Sequence, residues 1–116
     1  MDIYHIWCDL KLAVSDMEFS DNVGTYLGDL RQSDHIADFR ITQRKLGLGL
    51  ETLGEFHIMI ETRDLAQFDQ AFQRVAARTG KIKGLHHAVN SLVDNAKFAL
   101  YRGFPDPVRQ QGAEKF

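Results

Sequence analysis

The chain is poor in the residues that staple, span or steer. Among 116 residues there is one cysteine, there are two prolines, and there is one tryptophan. A lone thiol at Cys8 rules out an intrachain disulfide and suits a reducing cytoplasm. No stretch approaches the roughly 18 apolar residues of a membrane span. The opening "MDIYHIWCDLKL" has an acidic second residue and alternating chemistry, where a secretory signal needs a basic start and a continuous apolar run. Basic clusters are scarce as well: "RKLGL" and "RTGKIKG" are too short for a nucleic-acid footprint. A net charge of -2 and a pI near 6.2 also argue against broad polyphosphate binding. The expectation is a cytoplasmic protein with neither nucleic acid nor membrane as its partner.

Several catalytic signatures are missing too. There is no "HxxxH" or "CxxC", so no metal site is expected. No G-x-S-x-G stretch marks a hydrolase nucleophile. "LGLGLETL" carries glycines at 47 and 49, but no helix opens where a dinucleotide-binding turn needs one. It reads as a hairpin connection between antiparallel strands.

What is present is an ordinary globular composition, with 44% hydrophobic and 26% charged residues. A chain of this length forms its core without cross-links. Residues 2–10 alternate, with Tyr4, Ile6, Cys8 and Leu10 on one side and Ile3, His5, Trp7 and Asp9 on the other. Both sides are partly apolar, which predicts a central strand. "VSDMEF" then starts a helix, with Ser15 as N-cap, Glu18 completing a capping box, and Val14 and Phe19 placed for a hydrophobic staple. Phe19, Val23, Tyr26, Leu27 and Leu30 form its stripe. Gly24 and Gly28 fall opposite, beside either a close neighbour or solvent.

"IADFRITQRKLG" (36–47) and "GEFHIMIET" (54–62) alternate as second and third strands. A second helix starts after Asp64, with Leu65, Phe68, Phe72, Val75 and Ala76 as its buried stripe, Arg78 near its end and Gly80 as its stop. "LHHAVNSLV" (85–93) reads as a short helix and "AKFALYRGF" (96–104) as a last strand. Pro105 and Pro107 end regular structure. Residues 1–104 thus read as one domain and 105–116 as a tail.

The order β-α-β-β-α-(short α)-β is solved most simply by an α+β, ferredoxin-like βαββαβ arrangement, with a short extra helix before the last strand. Both long helices then cover one sheet face. The bare face would carry His5, Trp7, Arg40, Thr42, Arg44, His57, Met59, Glu61 and Tyr101, which is rich in aromatic and thioether groups for a surface left in water. Self-association through a two-fold axis follows, with His5, Trp7, Arg40, Arg44, His57 and Glu61 at the dimer interface. Another flat partner, or plain exposure, are the alternatives.

In this order of elements the chain resembles the dimeric α+β barrel superfamily, in which two ferredoxin-like protomers close their sheets into one barrel. The short helix before the last strand is similar to those of the NIPSNAP, EthD-like and antibiotic-biosynthesis-monooxygenase-like branches. "MDIYHIWCDLK", "GEFHIMIE" and "FALYRGFPD" resemble a family of small bacterial proteins. The resemblance implies a homodimer with pockets between sheet and helices for polyketides, haem or other largely apolar molecules. No catalytic motif of the superfamily is matched residue by residue.

Histidines 86 and 87 open the short helix. Adjacent helical residues do not share a face, so the two cannot chelate one metal. Leu85, Ala88, Val89 and Leu92 form an apolar face. His86 and Asn90 lie along its edge, and His87 points away. His86 is the candidate catalytic residue, as an acid–base group or a haem axial ligand; an ordinary boundary histidine is the alternative. Tyr4, Tyr26, Phe56, Phe72, Phe98 and Leu100 either fill the sheet–helix gap as core or line an apolar pocket. In the second case His86 and Asn90 would anchor a carboxylate, carbonyl or hydroxyl head. The functional expectation is a homodimer binding a fatty-acid- or polyketide-like molecule, with no cofactor. The alternative is a monooxygenase-like enzyme, cofactor-independent or haem-dependent.

Overall fold

The structure is a computed structural model that describes residues 1–77, 79–105 and 112. Arg78 and, in the expected tail, residues 106–111 (with Pro107) and 113–116 lie outside the described residues. Four strands and three helices follow in the order β1 (Asp2–Leu10), α1 (Asp16–Gln32), β2 (Asp38–Gln43), β3 (Phe56–Thr62), α2 (Leu65–Ala76), α3 (Gly80–Asn90) and β4 (Val93–Arg102). The sheet runs β2-β3-β1-β4, and every pairing is antiparallel. This is the ferredoxin-like order.

Alternation in β1 and β3 decides which way the sheet faces. Cys8, Phe56, Ile58 and Ile60 are buried under the helices, joined by the half-buried Tyr4 and Ile6. The opposite parity carries Ile3, His5 and Trp7 across from Glu61, Met59 and His57. A bulge interrupts the β1–β4 ladder between Trp7 and Asp9. There Gly54 passes so close to the backbone of Cys8 that no side chain fits. Asp9 satisfies the kinked segment by accepting from the Glu55 N–H at 2.9 Å.

Helix α1 starts as its capping signal requires, with the Glu18 N–H donating to Ser15 Oγ. Phe19, Val23, Leu27 and Leu30 are buried along one stripe. Gly24 and Gly28 have open space where a side chain would stand, so of the two readings solvent is the one observed. Helix α1 is tied to α3 by Asn22 Nδ2 donating to the Ala88 carbonyl at 3.2 Å and by a Lys81–Asp29 ion pair.

The chain departs from the periodicity in four places. Strand β2 is shorter than 36–47, and β4 begins at Val93 rather than Ala96. Arg44 lies beyond β2; its guanidinium donates to the carbonyls of Leu50 at 2.8 Å and Leu53 at 2.6 Å. It closes the β2–β3 loop instead of extending the open face. Gly80 does not stop α2, which ends at Ala76; with φ of +59° it turns the chain and becomes the first residue of α3. That φ is costly for any residue with a Cβ. Helix α3 therefore starts five residues before Leu85, and Ile82 from the added turn is buried.

The fourth departure matters most for function. Helix α2 buries Gln67 and Ala71, not the expected apolar stripe. Leu65 is 59% exposed and Phe72 57% exposed. Burying Gln67 is tolerable because both ends of its amide are bonded: Oε1 accepts from the Arg63 N–H at 2.7 Å, and Nε2 donates to the Asp34 carbonyl at 3.1 Å. An unpaired buried amide would cost about 1–3 kcal/mol. The Gln67 N–H in turn is capped by Asp64.

Candidate functional site

Because α2 stands off the sheet, a cavity of about 390 Å³ remains between the helices and the sheet. It lies within the usual range of small-molecule sites, roughly 300–1,000 Å³. Its walls come from β1, β3, β4 and all three helices. Among the described residues no Asp, Glu, Lys or Arg lines it.

The rings on the walls are fixed against one another. Tyr4 stacks on Phe98 with centroids 5.9 Å apart and meets Phe68 edge-on at 5.2 Å. Phe68 packs beside Phe72. Across the cavity the Tyr26 ring meets His86 edge-on at 5.6 Å. Asn90, one turn beyond His86, also reaches the wall.

Burial sets the protonation states. It pushes the Tyr26 phenol up to about 12, with the Tyr4 phenol adding to the effect. Burial also raises Tyr4. Both tyrosines are neutral at physiological pH and can donate a hydrogen bond into the cavity. Cys8 is on the wall as well. Burial, reinforced by the Asp9 carboxylate, pushes its thiol up to about 11, so the nucleophilic thiolate is not available near neutrality.

Of the expected ligand-binding set, Tyr4, Tyr26, Phe72, His86 and Asn90 all line this cavity. Phe56 does not: it packs edge-on against Phe19 at 4.9 Å in the core. Cys8, Thr62, Phe68, Val93 and Ala96 also line the cavity and were not expected there. Strand alternation placed Cys8 under the helices, but nothing in the sequence shows how far α2 stands away.

The residues do not suit a haem. Among the described residues the walls offer no Lys or Arg for its propionates, and the His86 ring is packed edge-on against Tyr26. Among the described residues no three His, Cys, Asp or Glu side chains gather into a metal site.

The open face of the sheet forms a second cluster. His5 Nδ1 and His57 Nε2 are hydrogen-bonded at 2.8 Å. Trp7 stacks on His57 with centroids 4.5 Å apart and an interplanar angle of 11°, and lies 5.4 Å from the His5 ring. Tyr101 closes on His5 edge-on at 4.9 Å. Arg40, opposite Met59, and Glu61, opposite Ile3, share this face by register. The expected interface residues are thus brought together, except for Arg44. At the edge of the cluster, Lys97 reaches the Thr52 carbonyl and draws the β2–β3 loop toward β4. That loop exposes Leu46, Leu48 and Leu50.

The chain belongs to a family of unknown function, DUF6614, whose pattern spans residues 1–116. No functionally curated protein matches it. Among solved structures it is similar to a variant of SnoaB, a cofactor-independent oxygenase from Streptomyces nogalater. That match has a TM-score of 0.69 and 7% identity, covering 93% of this chain and 97% of that one. A dimeric ferredoxin-like protein of unknown function from a Jannaschia species matches with a TM-score of 0.64 and 10% identity, over 89% and 100% of the two chains. Another, from Bacteroides fragilis, gives 0.54 and 10%, over 88% and 96%. At such identities the likeness shows the fold, and the expected ferredoxin-like arrangement holds.

Proposed function

We propose that the protein is a homodimer that binds an apolar, uncharged small molecule between the sheet and the helices of each protomer. One observation carries the reading: Phe68, Phe72, Val75 and Ala76 of α2 line a cavity in which, among the described residues, no Asp, Glu, Lys or Arg stands. An amphipathic helix gains most of its stability by burying its apolar stripe. A ligand entering beside Phe72 and Phe98 would complete the burial that the side chains leave undone. The Tyr26 hydroxyl, His86 and Asn90 would meet a carbonyl or hydroxyl on it. A carboxylate head is disfavoured, because among the described residues no Lys or Arg lines the walls to offset its desolvation.

Support for the homodimer comes from the open sheet face, whose aromatic cluster is poorly suited to water, and from the dimeric assemblies named for two of the similar structures. The single buried thiol fits a reducing cytoplasm. Titration with Nile red, an uncharged apolar dye, tests the binding reading. The expected result is one saturable site per protomer, abolished by Ala96→Trp, which fills the cavity from an exposed position on β4. Equal binding by the filled variant would sink it.

A second reading is cofactor-independent oxygenase chemistry. What favours it is the imidazole–phenol pair of His86 and Tyr26 on the cavity wall, together with a fold shared with SnoaB. There His86 would take a proton from an acidic C–H or O–H of a bound aromatic substrate. Oxygen uptake with a hydroxyaromatic probe, lost in His86→Ala, would distinguish this reading from simple binding.

A further inference from the structure

We propose that the His5–His57 pair is a proton-sensitive lock on the interface between two copies, holding the dimer together near neutral pH and releasing it in mild acid. The inference rests on the homodimer reading and adds its regulation.

A hydrogen bond between two imidazoles needs one N–H and one bare nitrogen. His5 Nδ1 and His57 Nε2, 2.8 Å apart, meet that need when both rings are neutral. A first added proton can settle on the outer nitrogen of the donor ring and leave the bond intact. A second has only the accepting nitrogen left. It breaks the bond and sets two cations side by side. The rings cannot separate without cost, because Trp7 is stacked on His57 and Tyr101 rests on His5.

The surroundings offer little to balance added charge. From β2 the face carries Arg40 and, at the strand's start, Asp38, which is paired with Arg31; from β4 it carries Asp94, Lys97 and Tyr101; and from β3 Glu61, two residues from Met59. On β1 the Asp9 carboxylate is already engaged by the Glu55 N–H and by Asn95. No carboxylate lies within ion-pair distance of either ring among the described residues. A second copy brings the same groups. Burial already lowers the proton affinity of both histidines, and His5 lowers that of His57 further. Covering the face would deepen that desolvation.

The direction follows from linkage. A base whose proton affinity is lower in the dimer than in the separated protomer contributes stability above its protomer value, which here already lies below the ordinary 6.5, and loses it as pH falls toward the dimer value. Separated protomers take up protons more readily, so acid favours them. Each imidazole released weakens association by up to about tenfold per pH unit in that window. With one decisive imidazole in each copy, the dissociation constant should rise by up to about 100-fold per pH unit within that window.

Sedimentation of the full chain at both pH values, with circular dichroism to confirm folding, provides the test. The expected result is a dimer at pH 7.5 that dissociates at pH 5, while His57→Gln, a neutral donor and acceptor that cannot titrate, stays dimeric at both. A wild-type dissociation constant that moves by less than about threefold overturns the lock and leaves the dimer standing; so does a His57→Gln protein that dissociates as the wild type does. A monomer at pH 7.5 overturns the dimer itself, and the lock with it. Should His57→Gln fail to fold, NMR titration of the wild-type imidazole protons decides. Values for His5 and His57 near 6.5 in a persistent dimer would overturn the proposal; values well below 6.5 would support it.

Discussion

Replacing Phe72 and Phe19 by alanine, one at a time, removes the same atoms from two very different places. Phe19 is fully buried between α1 and the sheet, and emptying such a site costs about 3–5 kcal/mol. Phe72 is 57% exposed, so less than half of its surface leaves water on folding. For a ring that buries about 150–250 Å² when fully enclosed, that leaves roughly 60–110 Å². At about 25 cal/mol per Å² the loss is at most 1.5–3 kcal/mol, and about 1–2.5 kcal/mol once a compact unfolded chain is allowed for. In a domain of this size 1 kcal/mol moves the midpoint by about 4 °C. Phe72→Ala should therefore melt no more than about 10 °C below the parent by differential scanning calorimetry, whereas Phe19→Ala should fall by about 12–20 °C or fail to fold. Saturating Nile red should raise the parent's midpoint and raise that of Phe72→Ala much less. Equal losses from the two substitutions would mean that α2 closes onto the sheet in solution, and the cavity would have no basis.

Other outcomes follow from the same geometry. Trp7→Glu places a charge in the stacked cluster with His57 and should yield a folded monomer near 13.2 kDa by light scattering; an unaltered dimer would put the interface elsewhere. With its thiol held near pH 11, Cys8 should resist iodoacetamide at pH 8 until the chain is unfolded, and rapid labelling of folded protein would contradict its burial. Tyr26, held near 12, should show no phenolate absorbance below about pH 11 in the native protein; ionisation near pH 10 would mean that its ring is in water.

Much of the architecture can be read from alternation and capping. The parity of Tyr4, Ile6 and Cys8 against His5 and Trp7 separates the covered face from the bare one, and Ser15 with Glu18 marks the start of α1. The sequence is least explicit where tertiary packing overrides periodicity. The pattern Leu65, Phe68, Phe72, Val75 fits a buried stripe equally well whether the stripe meets side chains or a void. What turns α2 is the network around Gln67, whose partners Arg63 and Asp34 belong to different segments. Local spacing carries no trace of that. Gly80 misleads for a related reason: a left-handed glycine ends one helix or opens the next with the same φ. Arg44 continues the alternation of β2 in sequence, yet two loop carbonyls claim its guanidinium. The contact between His5 and His57, 52 residues apart, appears only once β1 and β3 are paired.

The central claim is a paired protomer with an unfilled apolar cavity under α2, and native mass spectrometry after equilibration with Nile red tests it most directly. The expected spectrum shows a dimer carrying two dye molecules. A lone 13.2 kDa species, or a dimer that takes up no dye, would contradict it.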